Sequence, residues 1–252
     1  MLLENKNAVI YGGGGAIGGA VARAFAREGA RVFLAGRTLA TLDPVVEEIR
    51  AAGGVVEREQ VDALDEKAVD EHADAVAEKA GSVDISFNLI THPSVHGTPM
   101  AEMAVEDYTV SVTTAVRTNF LTSRAAARHM IGQGSGAILF FGGSGDPIRD
   151  YYIGGTQVAF DALESMRRQL AVELGPHGIR TVTLKTGGIP ESIPEDLEGR
   201  EELVERHIVG PTMLGRAATL EDVGNVAAFV ASDHARTMTA ATVNISCGAL
   251  VD

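Results

Sequence analysis

Between Tyr11 and Ala20 the chain runs Gly12-Gly13-Gly14-Gly15-Ala16-Ile17-Gly18-Gly19. Glycines set between a strand and a helix let the backbone turn tightly and approach a pyrophosphate, whose charge the helix N-terminus meets. A tight turn alone would also use glycine, but the position after the first apolar run favours a nucleotide site. The next apolar run ends in Ala35-Gly36-Arg37. A carboxylate there would accept hydrogen bonds from an adenosine ribose and select NAD(H). Arg37, with its fork of donors, pairs instead with a 2′-phosphate, which makes NADP(H) the expected cofactor; the alternative is a solvated loop arginine. His92 and His96 follow the fourth apolar run, at an edge where α/β sheets bind ligands. Pro93 and Gly97 break the helical spacing that a metal-binding pair would need, so no metal is expected. Ser144, Tyr151 and Tyr152 lie between the fifth run and a helix, where each hydroxyl has a bland alternative as a turn or packing group. Lys185, just past the sixth run, is positioned to reach cofactor or solvent.

The elements that must position these residues alternate along the chain. Strands are predicted over residues 7–11, 31–35, 55–60, 83–90, 136–141, 179–184 and 242–245. Helices are predicted over 16–28, 40–51, 65–80, 105–130, 156–174 and 221–231. Repeated β-α units predict a doubly wound, Rossmann-type parallel sheet of about seven strands with helices on both faces. No linker or repeat interrupts this order, so residues 1–252 read as one domain. The segment around 187–212 breaks the rhythm with glycines, prolines and seven acidic residues, and reads as a lid-like insertion.

Composition narrows the function. With 34 acidic against 21 basic side chains in 252 residues, the formal charge is −13. A surface of that sign repels nucleic acid and anionic membrane, leaving a small-molecule substrate as the expected partner. No apolar run reaches the roughly 18 residues of a membrane span. One cysteine, Cys247, excludes an internal disulfide. Without a signal-like N-terminal segment, a cytoplasmic location is the expectation.

The chain resembles the short-chain dehydrogenase/reductases over essentially its whole length. The opening motif of that family, Thr-Gly-x-x-x-Gly-x-Gly, falls on Tyr11, Gly12, Ala16 and Gly18, with Ala16 in place of the middle glycine. Further family-like stretches are Ala171–Arg180, Leu214-Gly215-Arg216, Glu221-Asp222-Val223 and Phe229–Asp233. The resemblance implies a homotetramer, an adenine contact at Asp62, and Asn88 as what remains of the Asn-Asn-Ala-Gly motif. Expected cofactor contacts are therefore Gly12, Gly14, Gly15, Ala16, Ile17, Gly18, Arg37, Asp62, Asn88 and Lys185.

At the positions of the family's catalytic Asn, Ser and Tyr-x-x-x-Lys the likeness fails. Counting back from Leu170–Leu174 places the lysine on Phe160, the tyrosine on Thr156 and the serine on Gly143; only Asn119 is intact. The expected catalytic set is thus Asn119, Ser144, Tyr152 and Thr156, with Tyr151 as a further phenol within reach. A positioned general acid is worth about 10²–10⁴ in rate, so an ordinary ketone reductase would be crippled. The expected function is an NADP(H)-dependent oxidoreductase for an acceptor that needs little acid assistance, such as an enone, enoyl thioester or quinone. The alternative is a catalytically silent NADP(H)-binding protein.

Overall fold

Val9 and Tyr11 of the first strand, β1 (Asn7–Tyr11), pack into one apolar cluster while Ala8 and Ile10 pack into another. A strand buried on both faces is apolar along nearly its whole length, and that pattern belongs to parallel sheets. The structure, a computed structural model, describes residues 1–148 and 151–251. Its remaining strands are β2 (Arg31–Gly36), β3 (Val55–Gln60), β4 (Ile85–Asn88), β5 (Gly136–Gly142), β6 (Ile179–Lys185) and β7 (Ala241–Asn244). All pair in parallel, in the order β3-β2-β1-β4-β5-β6-β7. Helices α1 (Ala16–Arg27), α2 (Leu39–Ala51), α3 (Glu66–Ala80), α4 (Val105–Gln133), α5 (Thr156–Leu174), α6 (Arg200–Leu203) and α7 (Leu220–Ala231) complete the chain. Helices α1, α2 and α7 cover the Ile10 face, and α3, α4 and α5 cover the Val9 face. The result is a Rossmann-type, doubly wound sheet whose order reverses between β1 and β4, opening a crevice at the carboxyl edge.

Local chemistry sets the element boundaries. Strand β4 is shorter than the expected 83–90: at its end the Asn88 side-chain oxygen accepts the Ile90 N–H (3.1 Å) and turns the chain, and before its start the Gln133 side chain bonds both the N–H and the carbonyl of Val83 (2.9 Å each). Helix α4 runs to Gln133 and stops at left-handed Gly134. The Asp65 carboxylate caps α3 by accepting the N–H groups of Lys67 (2.9 Å) and Ala68 (3.2 Å). The segment 187–212 is less irregular than expected. It contains α6, continued by a π-helical turn over Val204–Val209, and Ile208 is buried against Gly188. The Glu191 carboxylate in this segment accepts the Leu220 N–H at the start of α7 (2.5 Å).

Under β1 the Tyr11 hydroxyl meets His72 Nδ1 of α3 at 3.3 Å, with the rings edge to face and both side chains almost fully buried. Burial pushes the imidazole down to about 4 from 6.5 and raises the phenol. The folded state therefore holds His72 neutral, and charging it on acidification favours unfolding. Stability contributed by the neutral ring is complete above pH 6.5 and is lost as pH falls towards 4. The depressed value corresponds to roughly 3 kcal/mol. Urea denaturation across that window should show a smaller loss of stability in His72→Gln than in the parent protein; parallel pH profiles would contradict this assignment.

Candidate active site

A cleft of ≈390 Å³ opens at the carboxyl ends of β1, β2, β3 and β4, lined among others by Gly12, Gly14, Gly15, Arg37, Asp62, Leu89 and Thr118. Its floor depends on missing side chains. Gly12 has φ +80°, and a Cβ there would sit 2.5 Å from the Leu89 carbonyl oxygen. A Cβ on Gly18 would overlap the Gly12 carbonyl, so α1 can begin directly behind the turn only with glycine at that place. Gly15 caps α1 without a side-chain hydrogen bond, and no acid stands in the first turn. The N–H groups of Ala16 and Ile17 therefore lack intrahelical partners at an exposed helix start. This uncapped N-terminus above a glycine cradle fits a phosphate anion.

The lip of the cleft carries Arg37, exposed, with its carbonyl fixed by the Gln60 side-chain amide at 2.9 Å. The Asp62 carboxylate accepts the Leu64 N–H (3.0 Å) and faces the cleft. Asn88 does not line it: its amide turns inward and donates to Thr122 Oγ1 of α4 at 3.1 Å. Lys185 is not among the lining residues either. It stands at the end of β6, where its carbonyl accepts the Ile245 N–H.

The expected catalytic residues each have their own local setting. The Phe160 ring packs against the end of β5, where a Cβ on Gly143 would lie 2.8 Å from Cε2 and one on Gly142 would lie 3.3 Å from Cδ1. Thr156, one turn earlier on α5, holds its hydroxyl enclosed and without a hydrogen-bond partner. Asn119 is buried on α4, and its amide donates to the Ala115 carbonyl at 3.0 Å. The Ser144 hydroxyl donates to Asp146 Oδ2 (2.5 Å) and accepts the Asp146 N–H (3.0 Å), so it closes a turn. Tyr152 is 53% exposed.

A grouping that sequence reasoning missed lies over the β4, β5 and β6 ends. His96 Nδ1 and Tyr151 Oη are 3.1 Å apart, and the Tyr151 ring packs against His207 with centroids 5.1 Å apart. The three residues come from the segments that follow β4, β5 and β6. His207 was hidden because its segment reads as irregular and acidic. Burial pushes His92, beside the cleft, down to about 4. Among the described residues, no three His, Cys, Asp or Glu side chains are placed to hold a metal ion, and no helix is long and apolar enough to cross a membrane.

Comparisons with known proteins agree with this architecture. The family profile described as enoyl-(acyl carrier protein) reductase matches residues 14–249. The L-rhamnose 1-dehydrogenase (NAD(P)(+)) of Azotobacter vinelandii is 32% identical over 100% of this chain and 99% of that protein. A probable 2,4-dienoyl-CoA reductase of Caenorhabditis elegans is 29% identical over 98% of this chain and 81% of its own length. The crystal structure of a short-chain type dehydrogenase/reductase from Mycobacterium marinum superposes with a TM-score of 0.87 at 27% identity, covering 99% of this chain and 97% of that one. Sheet order, glycine turn and full-length likeness converge: the chain belongs to the short-chain dehydrogenase/reductases, a family of oxidoreductases that use a nicotinamide cofactor.

Proposed function

We propose that this protein is an NADP(H)-dependent oxidoreductase that delivers hydride to an activated acceptor, a conjugated enone, an enoyl thioester or a quinone, rather than to a simple ketone. The observation that carries the reading is the Phe160 ring seated against Gly142 and Gly143, where the family's lysine and serine would stand. An ammonium there lowers the pKa of a neighbouring phenol and holds the nicotinamide ribose; a phenyl ring does neither. Simple carbonyl reduction demands a strong acid at the developing alkoxide. A conjugated acceptor spreads its charge over several atoms and demands less. The dienoyl-CoA reductase likeness and the family profile point the same way.

The cofactor's place follows from the cleft. The N–H groups of Gly14, Ala16 and Ile17 would hold the pyrophosphate, with Gly15 shaping the turn through its own N–H to the Gly12 carbonyl (3.1 Å); Asp62 would meet the adenine and Arg37 the 2′-phosphate. When bound, the nicotinamide supplies the hydride. Residues 187–212 act as the lid over the substrate end, tethered through Glu191 to the start of α7. We place the protein in the cytoplasm as a homotetramer acting on a small molecule.

NADPH oxidation should be measured with quinones, conjugated enones and saturated ketones side by side. Turnover confined to the first two classes supports the proposal, and saturated ketones reduced as fast as enones would end it. In cofactor titrations NADPH should bind more tightly than NADH. Arg37→Ala should weaken NADPH about tenfold and leave NADH unchanged, as expected for the loss of one charge-assisted contact; equal parent affinities would contradict the 2′-phosphate role.

Gly143→Ser alone should destabilise the fold by about 1–3 kcal/mol, because its Cβ meets the Phe160 ring at 2.8 Å. The same change in a Phe160→Lys background should cost less, and thermal denaturation of the double-mutant cycle measures this coupling. With Thr156→Tyr added, ketone reduction should rise.

A further inference from the structure

The Tyr151 phenol and the imidazoles of His96 and His207 form a cluster that the nucleotide cleft does not use. The nucleotide site lies over β3, β2, β1 and β4, so the acceptor has to sit over the β4-β5-β6 half of the same carboxyl edge. The segments following those three strands supply the cluster: His96 after β4, Tyr151 after β5 and His207 after β6. Other contacts tie the first two together. The Gly97 N–H donates to the Tyr152 carbonyl at 2.8 Å, and Gly154, with φ +56°, leaves no room for a Cβ against the Val95 carbonyl (2.9 Å) and the Met103 side chain. The Tyr151 ring is thereby held between two loops, edge to face with His96 (centroids 5.6 Å apart) and tilted by 38° against His207. The other phenol of this loop, Tyr152, points its side chain largely to solvent.

We infer that Tyr151 is the group that meets the acceptor's carbonyl oxygen, and that His96 holds its phenol and returns the proton to it. This rests on the proposed reading of the site as one that reduces a conjugated acceptor. Once the β-carbon has gained hydride from the reduced nicotinamide, the electron pair of the C=C bond moves and the carbonyl oxygen becomes an enolate oxyanion. The Tyr151 O–H bond breaks and its proton passes to that oxygen, leaving a phenolate. The exposed edge of the His96 ring takes a proton from solvent at Nε2 as its Nδ1–H passes to the phenolate, so the imidazole stays neutral and the net proton comes from bulk water. The enol rearranges in water to the saturated ketone, so that one hydride and one proton are added in total. Burial raises the phenol and lowers the His96 imidazole, and no charged side chain among the described residues contributes to either shift. The resting pair is thus neutral, with no ammonium to sharpen the acid. Such a donor suits an enolate better than a simple alkoxide.

Two measurements independent of turnover test this. In the cofactor-free protein labelled with ¹⁵N-histidine, Tyr151→Phe should shift the His96 Nδ1 resonance and leave the His72 and His177 signals in place. In the NADP⁺-loaded protein, 4-nitrophenol serves as a flat phenolic oxyanion probe read by its absorbance. Tyr151→Phe should weaken its binding at least tenfold while the affinity for NADP⁺ stays unchanged. His96→Phe should weaken the probe less, and His96→Gln, which keeps a hydrogen-bonding side chain, should restore part of the loss. Equal probe affinity in the parent protein and Tyr151→Phe, or no binding to the parent, would overturn the inference. Failure of the protein to oxidise NADPH with any enone or quinone would count against the proposed function alone, because the probe titration does not depend on it.

Discussion

The close approach of Gly18 to the Gly12 carbonyl is the contact on which the rest of the site depends. It allows α1 to start immediately behind β1, so the uncapped first turn of the helix faces the open carboxyl edge of the sheet rather than the interior. Everything that binds a nucleotide follows from that placement. The partial positive charge of the helix start lies over the glycine floor, the end of β2 brings Arg37 to the lip, and the end of β3 brings Asp62 alongside. A side chain at Gly18 would force the helix away from the turn, and one at Gly12 would collide with the Leu89 carbonyl beyond β4. The hydroxyl of Tyr11, at the family's threonine position, turns under the sheet to His72 and leaves the floor to backbone groups.

Further along the same edge, charge has been replaced by packing. The Phe160 ring lies against Gly142 and Gly143, and the neighbouring Thr156 hydroxyl has no partner. The positions are coupled, since a serine at 143 and a phenyl ring at 160 compete for one space. Losing the lysine therefore removes room for the serine as well as the acidified phenol. Polar groups at this end include Tyr151, His96 and His207, which sit on the loops rather than on α5. Rossmann sheets often divide labour in this way: strand ends and helix starts fix the cofactor, while loops adjust the chemistry.

The fold was legible from the sequence because the central strands are largely apolar runs that alternate with helical stretches, several of which end at glycine, as at Gly81 and Gly134. Leu89–Ile90 extended the fourth run beyond the true strand, where a side-chain bond from Asn88 turns the chain, and Val83 extended it at the other end, where the Gln133 side chain takes both its N–H and its carbonyl. The glycine turn was legible for a similar local reason. Catalytic geometry was not. Ser144 and Tyr152 have the right chemistry in the right loop, yet one hydroxyl is engaged by Asp146 and the other side chain faces outward. Lys185 and Asn88 sit at strand ends as expected, but a strand end gives a position and not a direction. Tyr151 and His96 are 55 residues apart, and only the meeting of two loops pairs them.

The central claim is that hydride goes to a conjugated carbon and not to a carbonyl carbon. It is tested most directly by supplying 2-cyclohexenone with C4-deuterated NADPH and identifying the product by mass spectrometry and NMR. The account predicts cyclohexanone carrying deuterium at the former β-carbon. An allylic alcohol with deuterium on the carbinol carbon would contradict it.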